Sequence, residues 1–374
     1  MVLPFISIYL YADLEFAIGD IGIIMAFYGL GSVCGAFLGG LLTDRIGFYK
    51  VQLASLFTTS LSFVVLMYLQ GFAALCAGIF VLSFLADTIR PANMTAIQHF
   101  SKPENLTRSL SLVRLAVNLG FSIGPFLGGY VASILGFDML FIINGSAIFL
   151  GGIIFFLLFR NKEKRSSSEK KVGEIIQLPW KDLDYITYLI PFCVIIIVFF
   201  QLIYTIPLFF KNIFHFDESQ IGIFMAMNGF IIVLIEMPLV HELERKYKHI
   251  HLVVFGAILI GLSYLILASI SHAILAAFFF TLLITIGEVL NFPFSNTVAL
   301  RYTQNNNRGK YMGLYTMTFS VAHVFAPLIG LQLSEIVGFY YLWIGAGITC
   351  ILMALVMYTK NKPKDELTSS GSFD

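Results

Sequence analysis

Runs of about 20 mostly apolar residues recur along the chain, separated by short polar connectors, and a run of that length is what a helix needs to cross a bilayer. The runs predict twelve spanning helices, over 2–11, 20–41, 51–70, 72–98, 109–135, 138–159, 185–209, 220–241, 251–270, 273–300, 310–335 and 338–358. With their connectors they consume nearly all 374 residues, which leaves no room for a separate soluble catalytic domain. The first run is short. Ten to twelve residues rising 1.5 Å each cover roughly 18 Å, against a hydrocarbon core of about 30 Å. The seventh run has about 20 residues before Pro207 where its counterpart has three before Pro4. The expectation is that Met1 is an internal methionine and that half a helix is missing; Pro4 and the lack of a basic leader argue against a cleaved signal peptide.

Composition agrees with the pattern. Hydrophobic residues make up 58% and charged residues 12% of the chain, about half the charge of an ordinary soluble domain at roughly 25%. The net charge of +1 conceals an asymmetry, because all basic residues but Arg90, Arg114 and Lys211 fall on connectors of one side or on the tail. The positive-inside rule makes that side cytoplasmic, together with the C-terminus. The opposite connectors carry acids such as Asp13, Glu15, Asp138, Asp217 and Glu218. Residues 160–184, rich in Lys, Glu and Ser, read as a solvated linker. The organisation is therefore a six-helix bundle over 1–159, the linker 160–184, a second six-helix bundle over 185–358 and a cytoplasmic tail over 359–374. Cys34, Cys76, Cys193 and Cys350 all lie in apolar runs without paired or metal-ligand spacing, and they read as core residues.

The two halves repeat. At an offset of 200, Ile21-Gly22-Ile23 meets Ile221-Gly222-Ile223, Met25-Ala26 meets Met225-Ala226, Gly29 meets Gly229, and Asp44-Arg45 meets Glu244-Arg245. At an offset of 202, Pro91 meets Pro293, Pro125 meets Pro327, Gly128 meets Gly330, and Gly136-Phe137 meets Gly338-Phe339. Parallel six-helix copies are a transporter architecture in which access to a midplane site alternates between the two faces.

Two motifs sharpen this. Gly40-Leu41-Leu42-Thr43-Asp44-Arg45-Ile46-Gly47-Phe48-Tyr49-Lys50 resembles the loop signature of the major facilitator superfamily, although Phe48 and Tyr49 intervene before the basic residue. The resemblance implies an all-α membrane fold of two pseudo-symmetric six-helix bundles, with Gly40, Asp44, Arg45, Gly47 and Lys50 forming a cytoplasmic gate; the plain alternative is a turn bearing topogenic charge. In the 109–135 span, Gly120-Phe121-Ser122-Ile123-Gly124-Pro125-Phe126-Leu127-Gly128-Gly129 is similar to the Gly-Pro signature of that superfamily's proton antiporters, drug exporters above all. Glycines at four-residue spacing admit close helix packing, and Pro125 bends the helix.

Charged residues inside spans cost about 2.5–3.5 kcal/mol on insertion scales and must face protein or water, so they mark function. Glu288, 13 residues before Arg301 and hence roughly 20 Å inside the membrane, is the first candidate. Its run, Ile286-Gly287-Glu288-Val289-Leu290-Asn291-Phe292-Pro293, looks like the tenth-helix motif of proton-driven multidrug transporters, which implies that Glu288 carries the proton. A carboxylate desolvated between helices suits that exchange. Asp87 and Arg90 share a helical face and read first as a structural ion pair, second as a coupling site. Glu236 fits coupling and packing equally. Arg114 with Asn118 either snorkels to the surface or meets an anionic substrate. His323 reads as a hydrogen-bonded core residue ahead of a proton relay. By the resemblance, Phe200, Gln201, Tyr204, Asn291, Phe292 and Asn296 lie on helices that line a substrate cavity; Arg90, Arg114 and Asn118 are further cavity candidates, and an aromatic cavity with one acid suits lipophilic cations.

No nucleotide-binding loop, zinc motif, serine-hydrolase elbow or nucleic-acid motif occurs. The expectation is therefore a secondary transporter and not an enzyme. It needs no cofactor, works as a monomer in the cytoplasmic membrane, and has protons and a small-molecule substrate as partners. Proton-coupled export of lipophilic or cationic compounds is the first reading, with Glu288, Asp87 and Glu236 as candidate coupling acids. A symporter importing a nutrient such as a peptide or sugar is the alternative, and a non-transporting membrane sensor comes third.

Overall fold

The computed structural model describes residues 2–102, 106–160, 179–303 and 308–360, and among them all regular structure is helical. The elements are α1 (Leu3–Ala12), α2 (Ile18–Ile46), α3 (Phe48–Leu66), α4 (Phe72–Asp87), α5 (Ile89–Phe100), α6 (Leu106–Phe159), α7 (Leu183–Phe199), α8 (Gln201–Tyr204), α9 (Ile206–Asn212), α10 (Glu218–Glu244), α11 (His249–Ser269), α12 (Ala273–Arg301) and α13 (Arg308–Lys360). The long α6 and α13 each contain two spans, divided at Gly136 (φ 80°) and Gly338 (φ 83°), equivalent positions of the repeat. A positive φ there is open to glycine at little steric cost and turns the chain within a single residue. Counted across these breaks, the described helices account for the twelve predicted spans.

Three differences from the expected spans have local causes. The 72–98 span divides at Thr88 into α4 and α5, three residues ahead of Pro91, which cannot bond to the Asp87 carbonyl and presses its ring against it. The 185–209 span divides into α7, α8 and α9, the last break falling at Thr205, two residues before Pro207. The 20–41 span runs on to Ile46, so that Thr43, Asp44 and Arg45 form the last turn of α2 and not a connector. There the Thr43 hydroxyl donates to the Gly39 carbonyl, Arg45 suits the negative end of the helix dipole, and Gly47 (φ 89°) makes the turn into α3.

Many large apolar side chains, among them Phe37, Leu61, Ile134 and Ile336, are exposed on the helices. Among the described residues, nine helices, or helix pairs joined across a break, are long and apolar enough to cross a membrane. Such a surface would aggregate in water and is solvated by lipid. The chain is a multi-pass membrane protein.

The chain forms two compact units. The first comprises Met1–Lys170, Gln201–Gly229 and His323–Glu335; the second comprises Lys171–Phe200, Phe230–Ala322 and Ile336–Asp374. In the first, Gly31, Gly35 and Gly39 of α2 lie against Phe80, Phe84 and Thr88 near α4, so closely that a methyl group on any of the three would run into the facing carbonyl. Membrane helices lack a hydrophobic drive to associate, so backbone approach of this kind supplies van der Waals contact instead. In the second, α11 and α12 approach in the same way: a Cβ on Gly256 would lie 2.6 Å from the Gly287 carbonyl oxygen, and one on Gly287 would lie 2.7 Å from that of Gly256.

Within the first unit the repeat produces two matching helix contacts. A Cβ on Gly22 of α2 would lie 3.0 Å from the carbonyl oxygen of Pro327 in α13, and one on Gly222 of α10 would lie 2.5 Å from that of Pro125 in α6. Gly29 meets the His323 backbone, and Gly229 meets Ser122. Both contacts join residues of one sequence half to the other. Polar links close the same end: the Gly19 amide at the start of α2 donates to Glu335 Oε2 at 2.6 Å, and Lys211 pairs with Glu218 at 2.7 Å.

Candidate functional site

In the first unit, polar side chains gather where α4 gives way to α5. Asp87 ends α4, with Arg90 one turn on, and Arg90 Nε donates to Asp87 Oδ1 at 2.7 Å. The Asp87 side chain is 9% exposed and that of Arg90 53%. The second carboxylate oxygen, Oδ2, is buried without a hydrogen-bond partner among the described residues, and Ser32 of α2 stands beside the carboxylate. The charges of the pair act on Tyr28 of α2 and Tyr204 of α8, and Arg90 also acts on His323 of α13. Tyr204 is fully buried, with its hydroxyl 2.7 Å from His323 Nδ1. Membrane helices tolerate such groups only against protein or water. Gln201, at the start of α8, is engaged in packing: its Nε2 donates to the Ala326 carbonyl at 2.9 Å, and its Oε1 accepts from the Thr205 hydroxyl at 2.5 Å.

The second unit places Glu288, partly buried, in the middle of α12. Gly287 and Asn291 turn toward α11: Asn291 is fully buried, and its Nδ2 donates to the Val253 carbonyl at 2.8 Å. Phe292 follows Glu288 at helical spacing, one turn on. Its ring lies 4.8 Å from Phe199 and 5.8 Å from Phe319, both edge to face. Phe319 also meets Phe192, Phe200 and Tyr315. An aromatic group centred on Phe319 therefore stands beside the face of α12 that carries Glu288. The expected cavity residues did not include Phe319, since a lone phenylalanine in an apolar helix carries no mark of its ring neighbours.

The other expected site residues are dispersed. Asp44, Arg45 and Lys50 are exposed around the α2–α3 turn, and Gly40 has open space where a Cβ would stand. Gly120 is likewise in open space, Gly128 is buried, and Gly129 presses on Glu218 and Gly222. Gly124, Asn118 and Glu236 are partly buried, and Asn296 is exposed. The Arg114 side chain, residues 161–178 of the linker and the tail beyond 360 lie outside the described residues. Among those described, no group of three or more His, Cys, Asp or Glu residues is arranged to hold a metal ion.

One connector carries a perturbed acid. Burial, and then the charges of Asp138 and Glu218, hold the Asp13 carboxyl above the ordinary range, with Lys211 partly offsetting them.

The profile of the Major Facilitator Superfamily matches residues 1–327 and 274–374. The chain belongs to this superfamily. Relatives within it include the uncharacterized MFS-type transporter YttB of Bacillus subtilis (strain 168), 25% identical over 87% of this chain and 82% of that protein. Multidrug resistance protein 1 of the same organism is 24% identical, with 84% and 81% covered. The class B tetracycline resistance protein of Escherichia coli is 24% identical, with 90% and 85% covered. Among solved structures, a peptide transporter in complex with sulfate superposes with a TM-score of 0.80 at 14% identity, covering 95% of this chain and 89% of that one. The nucleoside transporter NupG gives 0.77 at 15% identity, covering 96% and 95%. These likenesses agree on the major facilitator fold, and the relatives and structural neighbours are transporters and not enzymes.

Proposed function

We propose that the chain is a proton-coupled exporter of small lipophilic or cationic compounds, working by alternating access as a monomer in the cytoplasmic membrane with its C-terminus in the cytoplasm. The observation that carries this reading is Glu288 on one face of α12 with Phe292, beside the rings of Phe199 and Phe319. Aromatic faces attract a cation, and a carboxylate beside them holds either that cation or a proton. Exchange of one for the other is the elementary step of drug-proton antiport. Asp87 and Glu236 are the further coupling candidates, the charged turn at Asp44 and Arg45 serves as the cytoplasmic gate, and Pro125 lies where α6 packs on α10. The relatives named for multidrug and tetracycline resistance support export over import.

The test is ethidium movement in inverted membrane vesicles containing the full chain. Acidifying the lumen should drive the dye inward, and a protonophore should abolish the movement. Dye movement indifferent to the protonophore would overturn the reading.

A further inference from the structure

Among the described side chains, the Glu288 reading leaves Arg90 in the membrane interior without a task. Arg90 engages Asp87 through Nε. A guanidinium carries five N–H donors in a planar fork, four of them on the two Nη atoms. The side chain is 53% exposed although Arg90 lies deep in the 72–98 span, and its charge acts on Tyr28, Tyr204 and His323. A cation at that depth faces a polar space and not lipid. Asp87 Oδ2 is buried and has no hydrogen-bond partner among the described residues.

We infer that Arg90 is an anchor for a carboxylate on the transported compound, received by its Nη donors, so that the chain takes carboxylates as well as cations. The outer edge of the fork offers two parallel N–H groups to a carboxylate, the geometry in which arginine binds that group best. A second anion beside the guanidinium repels the Asp87 carboxylate, and a proton on Asp87 removes the repulsion. Binding of the anion and of that proton therefore reinforce each other. The other titratable groups facing the pair are Tyr28, Tyr204 and His323. The inference concerns the first unit alone and does not rest on the Glu288 reading.

Calorimetric titration of the purified full chain with benzoate and with benzamide, its neutral counterpart of similar shape, tests this. At about pH 5.5 the wild type should prefer benzoate by about tenfold, as a charge-assisted bidentate pair warrants, and the preference should fall several-fold at about pH 8. Arg90→Gln should erase the preference. Asp87→Asn should keep the preference at both pH values. Equal affinity for the two compounds, or a preference that survives Arg90→Gln, overturns the inference. Should Arg90→Gln fail to fold, Asp87→Asn decides: a preference that still falls with pH in that variant overturns it.

Discussion

Gly222 stands so close to Pro125 that a methyl group on its Cα would lie 2.5 Å from the proline's carbonyl oxygen. The neighbouring atom is backbone, which cannot swing aside. Gly22 and Pro327 repeat the arrangement at 3.0 Å with the sequence halves exchanged, so the duplication visible in the sequence is also a duplication of helix contacts in the first unit. Gly222→Ala should therefore destabilise the purified protein by about 1–3 kcal/mol, the cost of overpacking a tight contact. Gly120→Ala, in open space, should cost nothing measurable. Thermal unfolding in detergent checks both, and equal midpoints for the two variants would contradict the packing described.

The pair formed by Tyr204 and His323 gives a second prediction. Their polar atoms are 2.7 Å apart with the tyrosine fully buried. Tyr204→Phe should destabilise by about 1–2 kcal/mol through the lost bond and a poorly satisfied imidazole. In a double-mutant cycle with His323→Leu the coupling should be about 1 kcal/mol. Additive single-variant effects would place the bond outside the folded state in solution.

Asp13 supplies a pH dependence. Its carboxyl is held above the ordinary range by burial and by the nearby Asp138 and Glu218. A group whose folded-state value is raised contributes stability that is full below its unfolded value and lost as pH rises through the folded one. Asp13→Asn should accordingly raise the unfolding midpoint at neutral pH and leave it unchanged at acid pH, where the wild-type group is already protonated. A gain that persists in acid would assign the effect to something other than charge.

Most of the architecture was legible because the bilayer imposes it. Apolar runs of fixed length gave the spans, and the paired glycines at 136 and 338 marked where two spans join in one residue. The ladder of Gly31, Gly35 and Gly39 is also written in the sequence, as small residues every four positions. Its partners at Phe80, Phe84 and Thr88 follow the same spacing. The polar cluster was less legible. Tyr204 and His323 are 119 residues apart, and nothing local to either predicts the other. The ring group around Phe319 is of the same kind, since its members come from α7, α12 and α13 and become neighbours only through folding.

The central claim is that Glu288 carries the proton. The most direct measurement compares two modes of ethidium transport in proteoliposomes, accumulation driven by an imposed pH gradient and exchange at equal pH, for wild type and Glu288→Gln. Exchange needs no net proton movement. The account predicts that Glu288→Gln loses gradient-driven accumulation by about tenfold or more, the scale on which removing a general acid-base group acts, and loses less of exchange. Gradient-driven accumulation by Glu288→Gln equal to that of the wild type would contradict it.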